Sequence, residues 1–197
     1  MDEIVQGLIL AGGLSSRMGS DKALLPIDGK PLIRRLAEEL APRVPSLAIA
    51  IGPPERAAAY RAALGSWGGQ ARLIPDAYPG CGPLAGLHAA LAEAPPGYVF
   101  VIACDMPSLS PPLYKRLAAQ AGSGADIIHC AGQPFHALYH SRIAPAVEQA
   151  LQTRRLRVMG LLGELNTLAV ATDEDELSAA FINLNTPEDF GRYVKGE

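Results

Sequence analysis

Ile4-Val5-Gln6-Gly7-Leu8-Ile9-Leu10-Ala11-Gly12-Gly13 is a short apolar run that stops on paired glycines. A run of that length, closed by glycine, predicts a strand buried on both faces. The elements beyond it decide the fold class. Lys30-Pro31 leads into Leu32, Ile33, Leu36 and Leu40 at helical spacing, with Arg34, Arg35, Glu38 and Glu39 on the opposite face. That pattern predicts an amphipathic helix with Pro31 near its first turn.

The alternation continues. Leu47 to Ile51 predicts a second strand, alanine-rich Pro53 to Leu64 a helix, and Arg72 to Ile74 a short strand ending at Pro75-Asp76. Leu84 to Glu93 predicts a small-residue helix, and Tyr98 to Cys104, the longest apolar run, a central strand followed at once by Asp105. Ser110 caps a helix with Pro111 at its first position, running to about Gln120. Such regular exchange of strand and helix implies a doubly wound, mostly parallel α/β sheet. From Ala125 the pattern loosens into a small antiparallel elaboration of the C-terminal half. Asp126 to Cys130 and Phe135 to His140 predict two strands close in sequence. Helices at about Ile143–Thr153 and Val158–Leu165, a strand at Leu168–Ala171 and a capped helix start at Thr186-Pro187-Glu188-Asp189 complete the chain. No repeat or linker breaks the 197 residues, which fit one domain.

Bulk composition narrows the function. Hydrophobic residues make up 49% and charged residues 19%, with a net charge of -3. This is a globular protein, not a nucleic-acid-coating one, and an anionic ligand must be met by local donors and a metal. No segment has the length of a membrane span, and Met1-Asp2-Glu3 is unlike a signal peptide. Cys81, Cys104 and Cys130 are irregularly spaced, so reduced buried thiols in a cytoplasmic protein are expected rather than a disulfide framework or zinc site.

The candidate chemistry lies at strand ends. Leu10 to Lys22 places unhindered backbone N–H groups of Ala11, Gly12 and Gly13 at the carboxyl end of the sheet, where phosphates bind. It is neither the dinucleotide GxGxxG pattern nor a Walker A loop. Arg17 and Lys22 add a forked cation and a point charge. Asp105, just after the apolar strand, faces the same crevice and suits a hard cation such as magnesium together with phosphate oxygens. Asp76 ends another strand in the same way, beside Gly82 and Gly86, which permit close approach of a base or ribose. Asn183 and Asn185, two apart, would point the same way in an extended strand. His136 is expected as a half-buried structural histidine. Arg154, Arg155 and Arg157 form a basic cluster that either meets a second anion or faces solvent at a helix end.

In order along the chain, Leu10-Ala11-Gly12-Gly13-x-Ser-x-Arg17-Met18-Gly19-x-Asp21-Lys22, Gly82-Pro83-Leu84-Ala85-Gly86, Cys104-Asp105-Met106-Pro107 and Asn183-Leu184-Asn185-Thr186-Pro187-Glu188 closely resemble the motifs of molybdenum cofactor guanylyltransferases. Arg157-Val158-Met159 is similar to a further family segment. The resemblance implies a Rossmann-like nucleotidyltransferase fold that joins GMP from GTP to molybdenum-bearing molybdopterin and releases pyrophosphate. Residues 1 to about 122 would form the nucleotide half and about 123 to 197 the acceptor half. Leu10, Ala11, Gly12 and Gly13 would contact GTP by their backbone, Lys22 would hold its phosphates, and Asp76 and Gly82 would lie on the nucleoside side. Asp105 would contact GTP and magnesium. Arg17, Lys22 and Asp105 would be the catalytic set, with Asn183, Asn185 and Arg157 toward the acceptor. Molybdoenzyme maturation proteins are the implied protein partners; neither nucleic acid nor a membrane is. Where the family often has Asn at the end of the second strand, this chain has Ile49-Ala50-Ile51-Gly52, so that contact is lost or falls to the backbone. A cytidylyltransferase for the same cofactor tends to show Ala-Ala-Gly in place of Ala11-Gly12-Gly13. A non-catalytic molybdopterin carrier would need the arginine cluster but no metal-binding carboxylate at Asp105.

Overall fold

The computed structural model describes residues 3–13, 21–172 and 180–196. Among these, seven strands form one sheet: β1 (Ile4–Leu10), β4 (Leu47–Gly52), β5 (Arg72–Pro75), β6 (Tyr98–Ala103), β7 (Ile127–Cys130), β8 (Gln133–His140) and β9 (Thr167–Val170). Their order is β5-β4-β1-β6-β8-β7-β9. β1 pairs in parallel with both β4 and β6, and β4 with β5. β8 alone among the described strands of this sheet runs against its neighbours, β6 and β7, while β7 and β9 are parallel. The doubly wound sheet and its antiparallel C-terminal addition are therefore as the sequence implies. The reversal is local: β7 and β8 are joined by Ala131-Gly132, with Gly132 at φ +75°, a conformation that glycine adopts without strain.

Helices cover both faces. On one, α1 (Leu32–Leu40), α2 (Ala57–Leu64) and α4 (Pro111–Ala118) pack Leu36, Leu64 and Leu117 against Ile9, Ile49 and Phe100. On the other, α3 (Pro83–Glu93), α5 (Ala144–Gln152) and α6 (Val158–Glu164) pack Leu87, Leu151 and Leu161 around Leu8, Ala48 and Val101. Successive residues of β1 thus serve opposite cores, as the two-residue period of a strand requires. Leu8 and Ile9 are completely buried, which explains an apolar run without polar alternation. The last helix, α7 (Pro187–Lys195), starts with a reciprocal capping box between Thr186 and Asp189 and lays Phe190 and Tyr193 on the first core. Among the described residues no helix is long and apolar enough to cross a membrane.

Several local expectations are corrected. Pro31 stands at the N-cap of α1, as the sequence implies, but Lys30-Pro31 also forms an unforeseen β3, paired with β2 (Pro26–Ile27) through Asp28 and Gly29, both at positive φ. This is a two-residue hairpin whose turn suits an Asp-Gly pair. α2 begins at Ala57 rather than Pro53, because Pro54–Arg56 winds as a 3-10 turn. His136 is completely buried rather than half-buried; its Nε2 lies 3.0 Å from the Ser108 carbonyl, and burial lowers its pKa to about 4.

The carboxyl ends of β1 and β4 touch through glycine backbones. A Cβ on Gly12 would stand 2.5 Å from the Gly52 nitrogen, which no rotamer can relieve. Gly12→Ala must push the two strand ends apart, and urea denaturation should show it less stable by about 1–3 kcal/mol.

Candidate nucleotide-binding and active site

The strand order reverses at β1. The chain leaves toward β4 and β5 on one side, then crosses to β6 on the other. In open α/β sheets such a switch point leaves a crevice at the carboxyl ends of the strands. Here that crevice has a volume of about 360 Å³. Its rim is fixed by two backbone hydrogen bonds: Ala11 N–H donates to the Ala50 carbonyl, and Cys104 N–H to the Leu10 carbonyl, each at 2.9 Å.

Most of the residues expected from sequence meet there. Leu10, Ala11, Gly12 and Gly13 line one wall, and Asp76, Gly82, Pro83 and Gly86 another. Lys22, Asp105 and Asn185 line the same crevice. Arg17 lies outside the described residues. Asn183 and Asn185 do not act as a pair. Residues 181–185 are not a strand, so the expected common direction does not arise. Asn185 accepts a hydrogen bond from Lys22 Nζ at 3.3 Å, whereas Asn183 donates to its own neighbour's carbonyl, Phe181, at 3.1 Å. Arg157 is the exposed residue before α6 and is not among the residues lining the crevice. The arginine cluster is in fact dispersed: Arg155 pairs with Glu164, and Arg154 reaches Cys81 Sγ at 3.5 Å, next to Gly82.

Asp105 sits in the turn that ends β6, where Met106 N–H closes back on the Ala103 carbonyl. Its own carbonyl accepts Leu184 N–H at 2.8 Å, which brings the distant C-terminal segment, and Asn185 with it, to the crevice. Asp105 Oδ1 is buried with no hydrogen-bond partner. Burial pushes its carboxyl up, and the Lys22 charge pulls the other way. Such an oxygen is costly unless a cation or donor meets it. Among the described residues no group of three or more His, Cys, Asp or Glu could hold a metal, so a metal here would draw its other ligands from phosphate oxygens and water, as magnesium does. Cys104 is buried and its thiol is pushed up by burial and then by Asp105, so it stays protonated and is no nucleophile.

Asp76 has the same character. Its N–H is held by the Gly52 carbonyl at 2.9 Å, while Oδ1 is buried without a partner. Burial raises its pKa to about 6, with the Arg56 charge opposing. Gly86 keeps the space beside it open: a Cβ there would fall 3.5 Å from Asp76 Oδ1 and 2.7 Å from Ala50 Cβ. At the end of β4 the backbone of Gly52 packs directly on Gly12 and leaves no room for a side chain at that residue.

Two lining residues were given no role by the sequence, Phe135 and Asp21. Phe135, from β8, puts an aromatic ring at the crevice. Asp21 lines it too, yet its carboxylate is engaged by the Ala23 N–H at 3.1 Å and the Tyr60 hydroxyl at 2.8 Å. Cys81 is buried, meets Arg154 and does not line the crevice.

Comparison with known proteins agrees with this geometry. Residues 7–167 match the model of the MobA-like NTP transferase domain. The chain is similar to the molybdenum cofactor guanylyltransferase of Vibrio campbellii, at 34% identity over 94% of this chain and 93% of that protein. It is 35% identical to the probable molybdenum cofactor guanylyltransferase of Pelotomaculum thermopropionicum, over 93% of this chain and 88% of the relative. Among solved structures, the molybdopterin-guanine dinucleotide biosynthesis protein A of Archaeoglobus fulgidus superposes with a TM-score of 0.81 at 27% identity, covering 97% of each chain.

The Asp76 carboxyl carries a pH signature. Below about pH 4 it is protonated in both folded and unfolded chains and costs nothing. As pH rises toward about 6 the unfolded chain ionises first, so it loses protons the folded chain still holds. Stability therefore falls across that window and stays lower above it. Asp76→Asn, which cannot ionise, should melt higher than the wild type at pH 8, and the difference should vanish at about pH 3 in paired thermal scans.

Proposed function

The chain belongs to the MobA-like NTP transferase family, and from that membership we propose that it transfers GMP from GTP to molybdenum-bearing molybdopterin, forming molybdopterin guanine dinucleotide and pyrophosphate. One observation carries the reading beyond the family: Lys22, Asn185 and Asp105, whose Oδ1 has no hydrogen-bond partner, meet at the switch-point crevice beside the Gly12-Gly13 backbone. A triphosphate laid on that backbone would have Lys22 at its phosphates and Asp105 within the same crevice.

In the proposed reaction an oxygen of the acceptor's terminal phosphate attacks the α-phosphorus of GTP. The new P–O bond forms as the bond to the β-phosphate oxygen breaks, and pyrophosphate leaves with its electron pair. The acceptor phosphate is already ionised near neutral pH, so no general base is demanded. The residues' work is alignment and charge stabilisation: backbone N–H groups of the glycine loop, Lys22 and Arg17 toward the phosphates, Asp76 and Gly82 toward the nucleoside. Magnesium, held by Asp105 with triphosphate oxygens and water, would supply charge neutralisation at the transferring phosphate. The nucleotide half would be residues 1 to about 122. Phe135 and Asn185, from the other half, suit the acceptor side, with Asn183 and Arg157 as outer candidates. Three buried free thiols accord with a cytoplasmic setting.

Three measurements test the proposal. Labelled GTP offered with molybdate-loaded molybdopterin, in competition with CTP and ATP, should give label transfer that excess CTP does not suppress; preferential suppression by CTP would make the chain a cytidylyltransferase. Asp105→Ala should lose turnover by about 10²–10³ while keeping the wild-type circular dichroism spectrum. GTP titrated calorimetrically should bind more tightly with magnesium than without, and binding indifferent to the metal would support a carrier.

A further inference from the structure

Asp21 poses a problem for a polyphosphate site, since a carboxylate on the wall would repel the ligand. The structure shows how that charge is occupied. Oδ1 accepts the Ala23 N–H at 3.1 Å and so caps the 3-10 turn Lys22–Leu24. Oδ2 faces the hydroxyl of Tyr60 at 2.8 Å and Arg56 Nε at 3.6 Å. Tyr60 belongs to α2 and is completely buried. Its hydroxyl also lies 3.0 Å from the Ala11 carbonyl, so one hydrogen is shared between two acceptors. Burial, then the Asp21 charge, pushes the phenol well above its ordinary value, so it remains a donor at any working pH.

The two acceptors stand at opposite ends of the glycine-rich segment. Ala11 is where the chain leaves β1, and Asp21 is the residue before Lys22. A single hydroxyl on a helix packed into the core therefore fixes both ends to one point. The Ala11 backbone and the turn carrying Lys22 are thus held relative to each other by a buried donor that does not line the crevice.

We propose that Tyr60 is a positioning residue for nucleotide binding: its buried hydroxyl, through Asp21 and Ala11, sets where the end of β1 and Lys22 stand against the triphosphate. The inference rests on the guanylyltransferase reading given above. Tyr60→Phe keeps the ring in the core and removes only the donor. The Kd for GTP should rise roughly tenfold, as loss of one charge-assisted hydrogen bond implies, while the KM for molybdopterin stays within about twofold. That split separates positioning from a general loosening of the fold, which would move both constants. Asp21→Glu keeps the charge on the wall but carries the carboxylate one methylene away from the Tyr60 hydroxyl and the Ala23 N–H, so it should weaken GTP binding by a similar factor. The double variant should be no weaker than either single one, because both remove the same interaction.

Calorimetric titration of GTP into the full chain and the three variants decides the matter. GTP affinity unchanged in Tyr60→Phe, or losses that multiply in the double variant, overturns the proposal. Should Tyr60→Phe fail to fold, Asp21→Glu with wild-type affinity overturns it equally. A wild-type chain that binds no GTP sinks the guanylyltransferase reading and this one together, whereas normal wild-type binding with normal variant binding sinks this one alone.

Discussion

The parallel pairing of β1 with β6 is the constraint on which the rest of the molecule depends. In that register Leu10 stands beside Ala103, and the last rung is the bond from Cys104 N–H to the Leu10 carbonyl. Two chains that are far apart in sequence therefore leave the sheet side by side, one into the glycine loop and the other into Asp105. Neither strand can slip, because both are packed on two faces. A shift by one residue would carry Leu8 and Ile9, or Val101 and Ile102, into the wrong core. The crevice is thus specified by apolar packing beneath it rather than by its own polar groups. That is why a chain with a net charge of -3 can build a place for a polyanion.

The electrostatics of that place are unfavourable in the chain alone. Asp76 and Asp105 each hold an oxygen buried without a partner, and burial raises both carboxyls. A core optimised only for stability would carry neither. Unmet acceptors clustered at a strand-end crevice are what a binding site retains at the expense of stability. Asp21 shows the contrast: a third carboxylate on the same wall, but one engaged by Tyr60 and the Ala23 N–H. Equal charges close together therefore differ in role according to whether the fold has already satisfied them.

The sequence made the site's two principal anchors legible because each is local. A glycine pair after a buried strand and an Asp after the longest apolar run are signals contained within a dozen residues, and both fell where expected. The family's order of motifs then pointed to the relation between them. What stayed hidden depends on distant partners or on unusual backbone. β2 and β3 are two residues each, too short to show a period, although Asp28-Gly29 was a usable turn signal. His136 adopts φ +52° inside β8, a conformation rare for its type that no propensity foretells. The parallel direction of Asn183 and Asn185 assumed a strand, and the segment is held instead by single hydrogen bonds. Tyr60 sits in an alanine-rich helix where nothing local distinguishes a core tyrosine from one whose hydroxyl holds a loop.

The return of the C-terminal segment shows how such distant partners are made dependable. Leu184 N–H docks on the Asp105 carbonyl, and directly afterwards Asp189 Oδ2 accepts the N–H groups of Asn185 and Thr186 at 3.2 and 2.9 Å. The capping box that starts α7 therefore does more than end-stabilise a helix. It locks the backbone of Asn185, whose side chain then meets Lys22. Lys22 is governed from two directions: by Asp21 and Tyr60 through the backbone of its own turn, and by Asn185 at the tip of its side chain. A flexible four-carbon stem loses considerable rotamer freedom when it is so confined. Because that ordering is completed by the fold, an incoming phosphate would not have to supply it, and more of its interaction energy would appear as binding.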